Sequence, residues 1–227
     1  DHRELHSFPT LRSSDLGPSA PTLLGIKGVQ PSVRGAKILP HYVHGLHAVT
    51  IGSLVEQDKP LIWRGPMATG AFKQLLVDNT EWPDLDYLII DMRPGTGDVP
   101  LTLCQLIPLT GAVIVATPQQ VALDDAVRAL KMFQQLETPV LGMVENMSGD
   151  IFGRGGTESA AKELSVPFLG AIELSAALRI NSDAGAPEKN FEDDPKLADS
   201  LNHVVKTLAE EVDKRNAGTQ GPVLEIT

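Results

Sequence analysis

Apolar residues along this chain fall into two alternating patterns. Short, nearly continuous apolar runs end at turn residues: Leu46–Ile51, Leu85–Ile90, Gly111–Thr117 (GAVIVAT), Pro139–Asn146 (PVLGMVEN) and Pro167–Ile172. Runs of this length suit strands buried on both faces, as in a parallel sheet. Between them lie stretches with apolar residues at helical spacing. Met67–Val77 carries Met67, Ala71, Leu75 and Leu76, and Val99–Ile107 reads as a second helix. Val121–Leu136 places Val121, Leu123, Val127, Leu130, Phe133 and Leu136 on one face, and residues 194–214 do the same with Leu197, Leu201, Val204, Val205, Leu208 and Val212. This β–α alternation predicts an α/β fold, a doubly wound, mostly parallel sheet with helices on both faces.

Three regions depart from the pattern. Residues 26–45 are rich in Gly, Pro and basic residues and read as loop, with an edge strand at Lys37–Leu39. His41, His44 and His47 sit three apart, but no Cys or carboxylate accompanies them and Gly45 breaks a helix, so solvated loop histidines are expected. Residues 1–16 (DHRELHSFPTLRSSDL) lack apolar periodicity and join abruptly to regular sequence at Gly17. They read as an artefactual read-through or a loosely packed tail, leaving residues 17–214 as the folded domain and 215–227 as a frayed end.

Composition narrows the function. The chain has 227 residues, enough for one sizeable core, and a net charge of −10 with no basic run, which argues against binding a nucleic-acid backbone. No apolar stretch is long enough to predict a membrane span, and no signal peptide is evident. The lone cysteine, Cys104, allows no internal disulfide, so the cytoplasm is the expected location. Surrounded by apolar neighbours, Cys104 reads as a core residue.

The candidate chemistry centres on Leu85–Asp98 (LDYLIIDMRPGTGD). Asp91 stands at the C-terminal end of a strand, where open α/β sheets bind ligands. Pro94-Gly95-Thr96-Gly97 lets the backbone turn tightly and present amide N–H groups to a phosphate. Asp98 then falls near a helix N-terminus, a favourable place for a carboxylate.

Asp91–Asp98 resembles the Walker B and switch II segment of the Mrp/ApbC family, in the MinD/ParA-like branch of P-loop NTPases. Other phrases similar to that family recur in order: GPS at Gly17–Ser19, WRGPM at Trp63–Met67, LTLCQ at Leu101–Gln105, ATPQQVAL at Ala116–Leu123 and VENMS at Val144–Ser148, then FGRGG and PFLG. The resemblance implies an ATPase that carries iron–sulfur clusters, with ATP and Mg2+ as cofactors and a [4Fe–4S] cluster as cargo. It further implies a homodimer and apo iron–sulfur proteins as clients, with no nucleic acid and no membrane. By the same resemblance Asp91 is the catalytic carboxylate and holds Mg2+ through water. Gly95, Thr96, Gly97 and Asp98 face the γ-phosphate side, Gly17, Pro18 and Ser19 form the end of switch I, and Asn146 hydrogen-bonds the adenine edge, an amide being both donor and acceptor.

The sequence departs from that family in four places. No GxxxxGK[ST] loop occurs in the 227 residues. The family places that loop before GPS, so the chain is expected to start after it, to lack the first βα unit and to be inactive alone. Ser148–Phe152 runs straight through where the family often inserts CPxCG, so two thiolates per subunit are not available for a bridged cluster. Arg93 replaces a usual Pro, and Glu173-Leu174-Ser175 stands where Pro-x-Asp is usual. Three readings stay open: an iron–sulfur carrier ATPase, a non-catalytic dimer partner or scaffold, and a MinD/ParA-like positioning ATPase.

Overall fold

The computed structural model describes residues 10–12, 19–50, 70, 72–92 and 98–218. The chain divides into two compact units, residues 1–94 with 180–188, and residues 95–179 with 189–227.

In the first unit, β1 (Thr10–Arg12), β4 (His41–Val43), β5 (Leu46–Thr50) and β6 (Ile89–Asp91) form a sheet in the order β4-β5-β1-β6. β1 runs parallel to both neighbours, with Arg12 opposite Thr50 on one side and Asp91 on the other. Three residues of the segment expected to be loose thus sit inside a sheet. A parallel ladder is built from backbone N–H and C=O groups, so it needs no apolar signature. β6 is shorter than the apolar run suggested. None of Leu85–Asp91 is fully buried and Ile89 is exposed, against the expected burial on both faces, because β6 ends the described strand order.

β4 and β5 form an antiparallel hairpin, with Val43 opposite Leu46. Its two-residue turn, His44-Gly45, has φ of 50° and 75°. Left-handed backbone at both positions is the turn whose twist matches a hairpin, and Gly at the second makes it cheap. His41 and His47 are therefore strand residues, opposite Ala48 and Tyr42 across the ladder, not loop residues. A smaller antiparallel pair joins β2 (Val33–Arg34) to β3 (Lys37–Ile38). Helical backbone at Gln74–Asp78 closes with Asn79 N donating to Gln74 O at 2.7 Å, one residue wider than an α-helical turn.

The second unit carries an all-parallel sheet, β7 (Ala112–Ala116), β8 (Val140–Ser148) and β9 (Phe168–Glu173), in chain order. Its helices are α2 (Asp98–Leu106), α3 (Gln120–Gln135), α4 (Gly156–Glu163) and α6 (Pro195–Gly218). α3 packs on β7, α4 on β8 and α6 on β9. The core joins Ile114 and Ala116 of β7, Met143 of β8, Leu123, Ala126 and Leu130 of α3, and Ala161 of α4. The predicted apolar face of α3 is correct except at its start, since Val121 is 80% exposed. Cys104 is half-buried and accepts a hydrogen bond from Thr138 Oγ1 at 3.4 Å.

Four helices end in the same way. In α1 (Ala20–Leu23), α3, α4 and α5 (Ala176–Asp183), the chain passes through one left-handed residue: Gly25, Glu137, Ser165 and Gly185, with φ between 55° and 67°. The following amide reaches back to a carbonyl of the last turn: Ile26 to Pro21, Thr138 to Phe133, Val166 to Ala161 and Ala186 to Asn181. This Schellman arrangement satisfies carbonyls that a helix end leaves without partners. Gly25 and Gly185, both in the first unit, also touch. A Cβ on Gly185 would stand 2.5 Å from Gly25 Cα.

These observations set the stabilities of four variants, each measurable by chemical denaturation. Gly185→Ala is expected to cost roughly 2 kcal/mol or more, from combined strain and overlap. Glu137→Gly is expected to gain about 0.5 kcal/mol, because it removes a side chain from left-handed backbone. Leu130→Ala should cost about 2–5 kcal/mol, while Val121→Ala stays within about 0.5 kcal/mol.

Candidate functional site

Of the residues singled out in the sequence, Asp91 is the last residue of β6 and is half-buried. Ser19 is exposed at the start of α1, its carbonyl accepting from Leu23 N at 2.9 Å. Both belong to the first unit. Asp98 opens α2 and Asn146 lies near the end of β8, both in the second unit. Gly17, Pro18, Gly95, Thr96 and Gly97 lie outside the described residues, as do Arg93 and the WRGPM stretch.

The end of β8 is the best-defined part of the site. Asn146 is half-buried, and its Oδ1 accepts from the backbone N of Met147 at 2.9 Å. Met147 itself is left-handed, with φ 56°. Immediately before them is Glu145, 1% exposed, in the middle of an apolar strand. Its carboxylate accepts three hydrogen bonds. Oε1 takes Ser148 Oγ at 2.8 Å and Gly155 N at 2.9 Å, and Oε2 takes Thr157 N at 3.0 Å. Two of these donors are amides at the start of α4, which have no partner inside the helix, and the helix dipole favours a negative charge there.

The segment between β8 and α4 is a closed turn. Gly149 and Gly153 exchange backbone hydrogen bonds at 2.9 and 2.7 Å, leaving Ile151 76% exposed at the tip. Arg154 Nη1 then reaches Glu173 Oε1 at 2.7 Å, and Lys196 Nζ reaches Glu173 Oε2 at 2.7 Å. Lys196 and then Arg154 hold the Glu173 carboxyl below its ordinary range. Leu174 N donates to Ser148 O, which ties the end of β9 to the end of β8. Pro118, after β7, approaches Gly156 so closely that a Cβ there would collide with the Pro118 carbonyl. The C-terminal ends of all three parallel strands are thus bound into one edge.

The sequence reading missed Glu145 and the ion pairs of Glu173. The signal for the first was present: an acidic residue between Val144 and Asn146, in a strand otherwise apolar, must find donors or not be buried. The signal for the second was not, since Arg154, Glu173 and Lys196 meet only through the fold. No cluster of three His, Cys, Asp or Glu side chains suited to a metal ion occurs among the described residues.

Parallel strands in both units, one ending in Asp91 in the first and one carrying Asn146 near its end in the second, are what the comparisons with known proteins bear on. Residues 14–209 match the family model described as ParA, NUBPL iron-transfer P-loop NTPase. The chain belongs to that family. It is 47% identical over 211 residues to the iron-sulfur cluster carrier protein of Synechocystis, covering 86% of this chain and 60% of that protein. It is 48% identical over 182 residues to the iron-sulfur cluster carrier protein of Escherichia coli, covering 75% of this chain and 49% of the relative. The chain therefore spans about half to three-fifths of these relatives.

Among solved structures, the ADP-bound nucleotide-binding protein of Archaeoglobus fulgidus superposes with a TM-score of 0.68 and 31% identity, over 81% of this chain and 76% of that one. The cell division ATPase MinD of Pyrococcus furiosus gives a TM-score of 0.65 over 91% of this chain and 85% of its own, at 19% identity. The second likeness concerns fold alone. The expected P-loop NTPase fold is the observed one. Among the described residues no helix is long and apolar enough to cross a membrane.

Two outcomes test the geometry of this edge. Lys196→Ala or Arg154→Ala should raise the Glu173 pKa back toward its ordinary value, read by NMR titration of the Glu173 side chain. Because that pKa is depressed on folding, the pairing stabilises above the ordinary carboxylate range. Its contribution is lost as pH falls through the folded value, and the exposed setting keeps it small and salt-sensitive. Gly156→Ala should push α4 away from Pro118 and lower the unfolding midpoint, whereas Gly153→Ala meets no neighbouring atom and should cost only the backbone strain of its φ of 93°.

Proposed function

We propose that this chain is the nucleotide-handling part of an iron–sulfur cluster carrier. The observation that carries the reading is the family match over residues 14–209, joined to near-half identity with proteins named as such carriers. In this reading the nucleotide is ATP with Mg2+. Asp91, at the tip of β6, holds the ion through water. The amides of Gly95, Thr96 and Gly97 and the start of α2 at Asp98 meet the γ-phosphate side, and Gly17, Pro18 and Ser19 contribute the switch I end. Asn146 reads the base. The fit is supported at Asn146, whose Oδ1 is tied to Met147 N, so its Nδ2 is the group turned to donate. Bound Mg2+ would supply charge neutralisation at the phosphates.

The cluster is cargo in this reading, and these residues do not suit it as a ligand set. Cys104 is the only cysteine, it is half-buried, and its sulfur already accepts from Thr138. A site with two thiolates from each of two copies cannot be assembled from this sequence. Within these 227 residues the cluster has no such set, and in this reading apo iron–sulfur proteins are the clients, a homodimer the working state and the cytoplasm the location.

A second reading, a non-catalytic partner or scaffold of the same family, is favoured by one observation: no GxxxxGK[ST] stretch lies in the 227 residues. A positioning ATPase is less supported, since the net charge of −10 gives no basic face for DNA or anionic lipid.

Titration of the purified chain with ATP and GTP separates the readings. The carrier reading expects ATP to bind in a Mg2+-dependent manner. Asp91→Asn should abolish that dependence, and Asn146→Ala should weaken ATP by about tenfold with little change for GTP. Turnover above background is not expected of these 227 residues. Nucleotide binding indifferent to both substitutions would remove the carrier reading and leave the scaffold.

A further inference from the structure

We infer that Glu145 is a positioning residue for base selectivity, acting through the amide of Asn146; this rests on the reading of Asn146 as the base contact. A base-reading amide works only one way round. The adenine edge offers a ring-nitrogen acceptor beside an amino donor, whereas guanine offers two acceptors. An Asn with its oxygen on the wrong side would set donor against donor. Asn amides flip easily unless something that only donates holds the oxygen.

Here the backbone N–H of Met147 does so, at 2.9 Å from Asn146 Oδ1. Met147 is itself left-handed, with φ 56°, a conformation that costs a non-glycine residue free energy. Something must hold the turn against this cost, and the structure shows what does. Glu145 Oε1 accepts from Ser148 Oγ at 2.8 Å, closing the four residues Glu145–Ser148 around Asn146 and Met147. The other side of the closure is equally fixed. Ser148 O accepts from Leu174 N, and the same Glu145 carboxylate is anchored by Gly155 N and Thr157 N at the start of α4. Glu145 is 1% exposed, so water does not compete for these bonds.

All three partners of Glu145 are donors. A carboxylate satisfies all of them, while the carboxamide of Gln must turn an NH2 toward at least one. The chain from sheet to base is therefore short: α4 amides to Glu145, Glu145 to Ser148, the closed turn to Met147 N–H, and that N–H to the oxygen of Asn146. The nitrogen of the amide is then left facing the acceptor of an adenine edge, and the second lone pair of Oδ1 is available to its amino group.

Two variants of the full chain test this, each with two readouts. The first is residue-resolved amide hydrogen exchange on isotope-labelled protein, and the second is the ratio of ATP to GTP affinity. Ser148→Ala removes the arm that closes the turn but keeps both α4 bonds. It should speed exchange at Met147 by about tenfold, leave Gly155 and Thr157 protected, and flatten the ATP preference. Glu145→Ala, which removes the acceptor from Ser148 Oγ, Gly155 N and Thr157 N alike, should speed exchange at Gly155, Thr157 and Met147 together and flatten the preference as well. If Glu145→Ala fails to fold, Ser148→Ala decides alone. Unchanged Met147 exchange in Ser148→Ala overturns the proposal, as does a Glu145→Ala that loosens only Gly155 and Thr157, which would make Glu145 a helix anchor and nothing more. If the unsubstituted chain shows no preference between ATP and GTP, the base-reading role of Asn146 falls, while the Met147 exchange still decides whether Glu145 fixes that amide.

Discussion

A carboxylate buried in the middle of a parallel sheet is the constraint around which the second unit is arranged. Glu145 occupies a strand whose neighbouring positions, Leu141 to Val144, are buried and apolar. A charge in such a place costs several kcal/mol unless its lone pairs are met by donors. The donors come from the segment that follows, so the turn after β8 and the beginning of α4 must fold back onto the strand that precedes them. The glycines at 149, 153, 155 and 156 make that return possible. The Pro118 carbonyl against Gly156 then fixes how close α4 lies to the loop after β7.

Much of this unit was readable from residue order. β7, α3, β8, β9 and α6 stand where the apolar runs and stripes put them, because each buries enough apolar surface for periodicity to dominate. Val121 broke its stripe because it sits in the first turn of α3, ahead of the core made by Leu123, Ala126 and Leu130. The first unit was harder to read. The hairpin of β4 and β5 hangs on left-handed backbone at His44, a residue type that seldom signals a turn of that hand. β1 has no apolar signature at all, since its place is defined by backbone pairing on both sides.

The site divides along the same line. Asp91 and Asn146 could be picked out because family phrases surround them, and both stand at or near strand ends. Glu145 could not be assigned a task from order alone, since its three donors lie three, ten and twelve residues further on. The opposite lesson comes from Glu173. Where a different triplet was expected, it takes two cationic partners and becomes a surface cross-brace between β9, Arg154 and the start of α6. Cys104 is the other limit on function. Its half-buried sulfur already accepts from Thr138 Oγ1, which ties α2 to the segment before β8.

The contact between Gly25 and Gly185 has a bearing on how the protein is made. The two residues cap helices that are far apart in the chain, yet both belong to the first unit, which is closed only when residues 180–188 join residues 1–94. A ribosome delivers the chain from its N-terminus, so the early strands emerge long before their closing segment. During that interval β7, α3, β8, α4 and β9 are all synthesised, and the second unit can collapse first on its own contiguous core. The second unit is itself finished only when residues 189–227 follow, since α6 packs on β9. The early strands, with open edges, wait on a segment that arrives only after the parallel sheet downstream is complete.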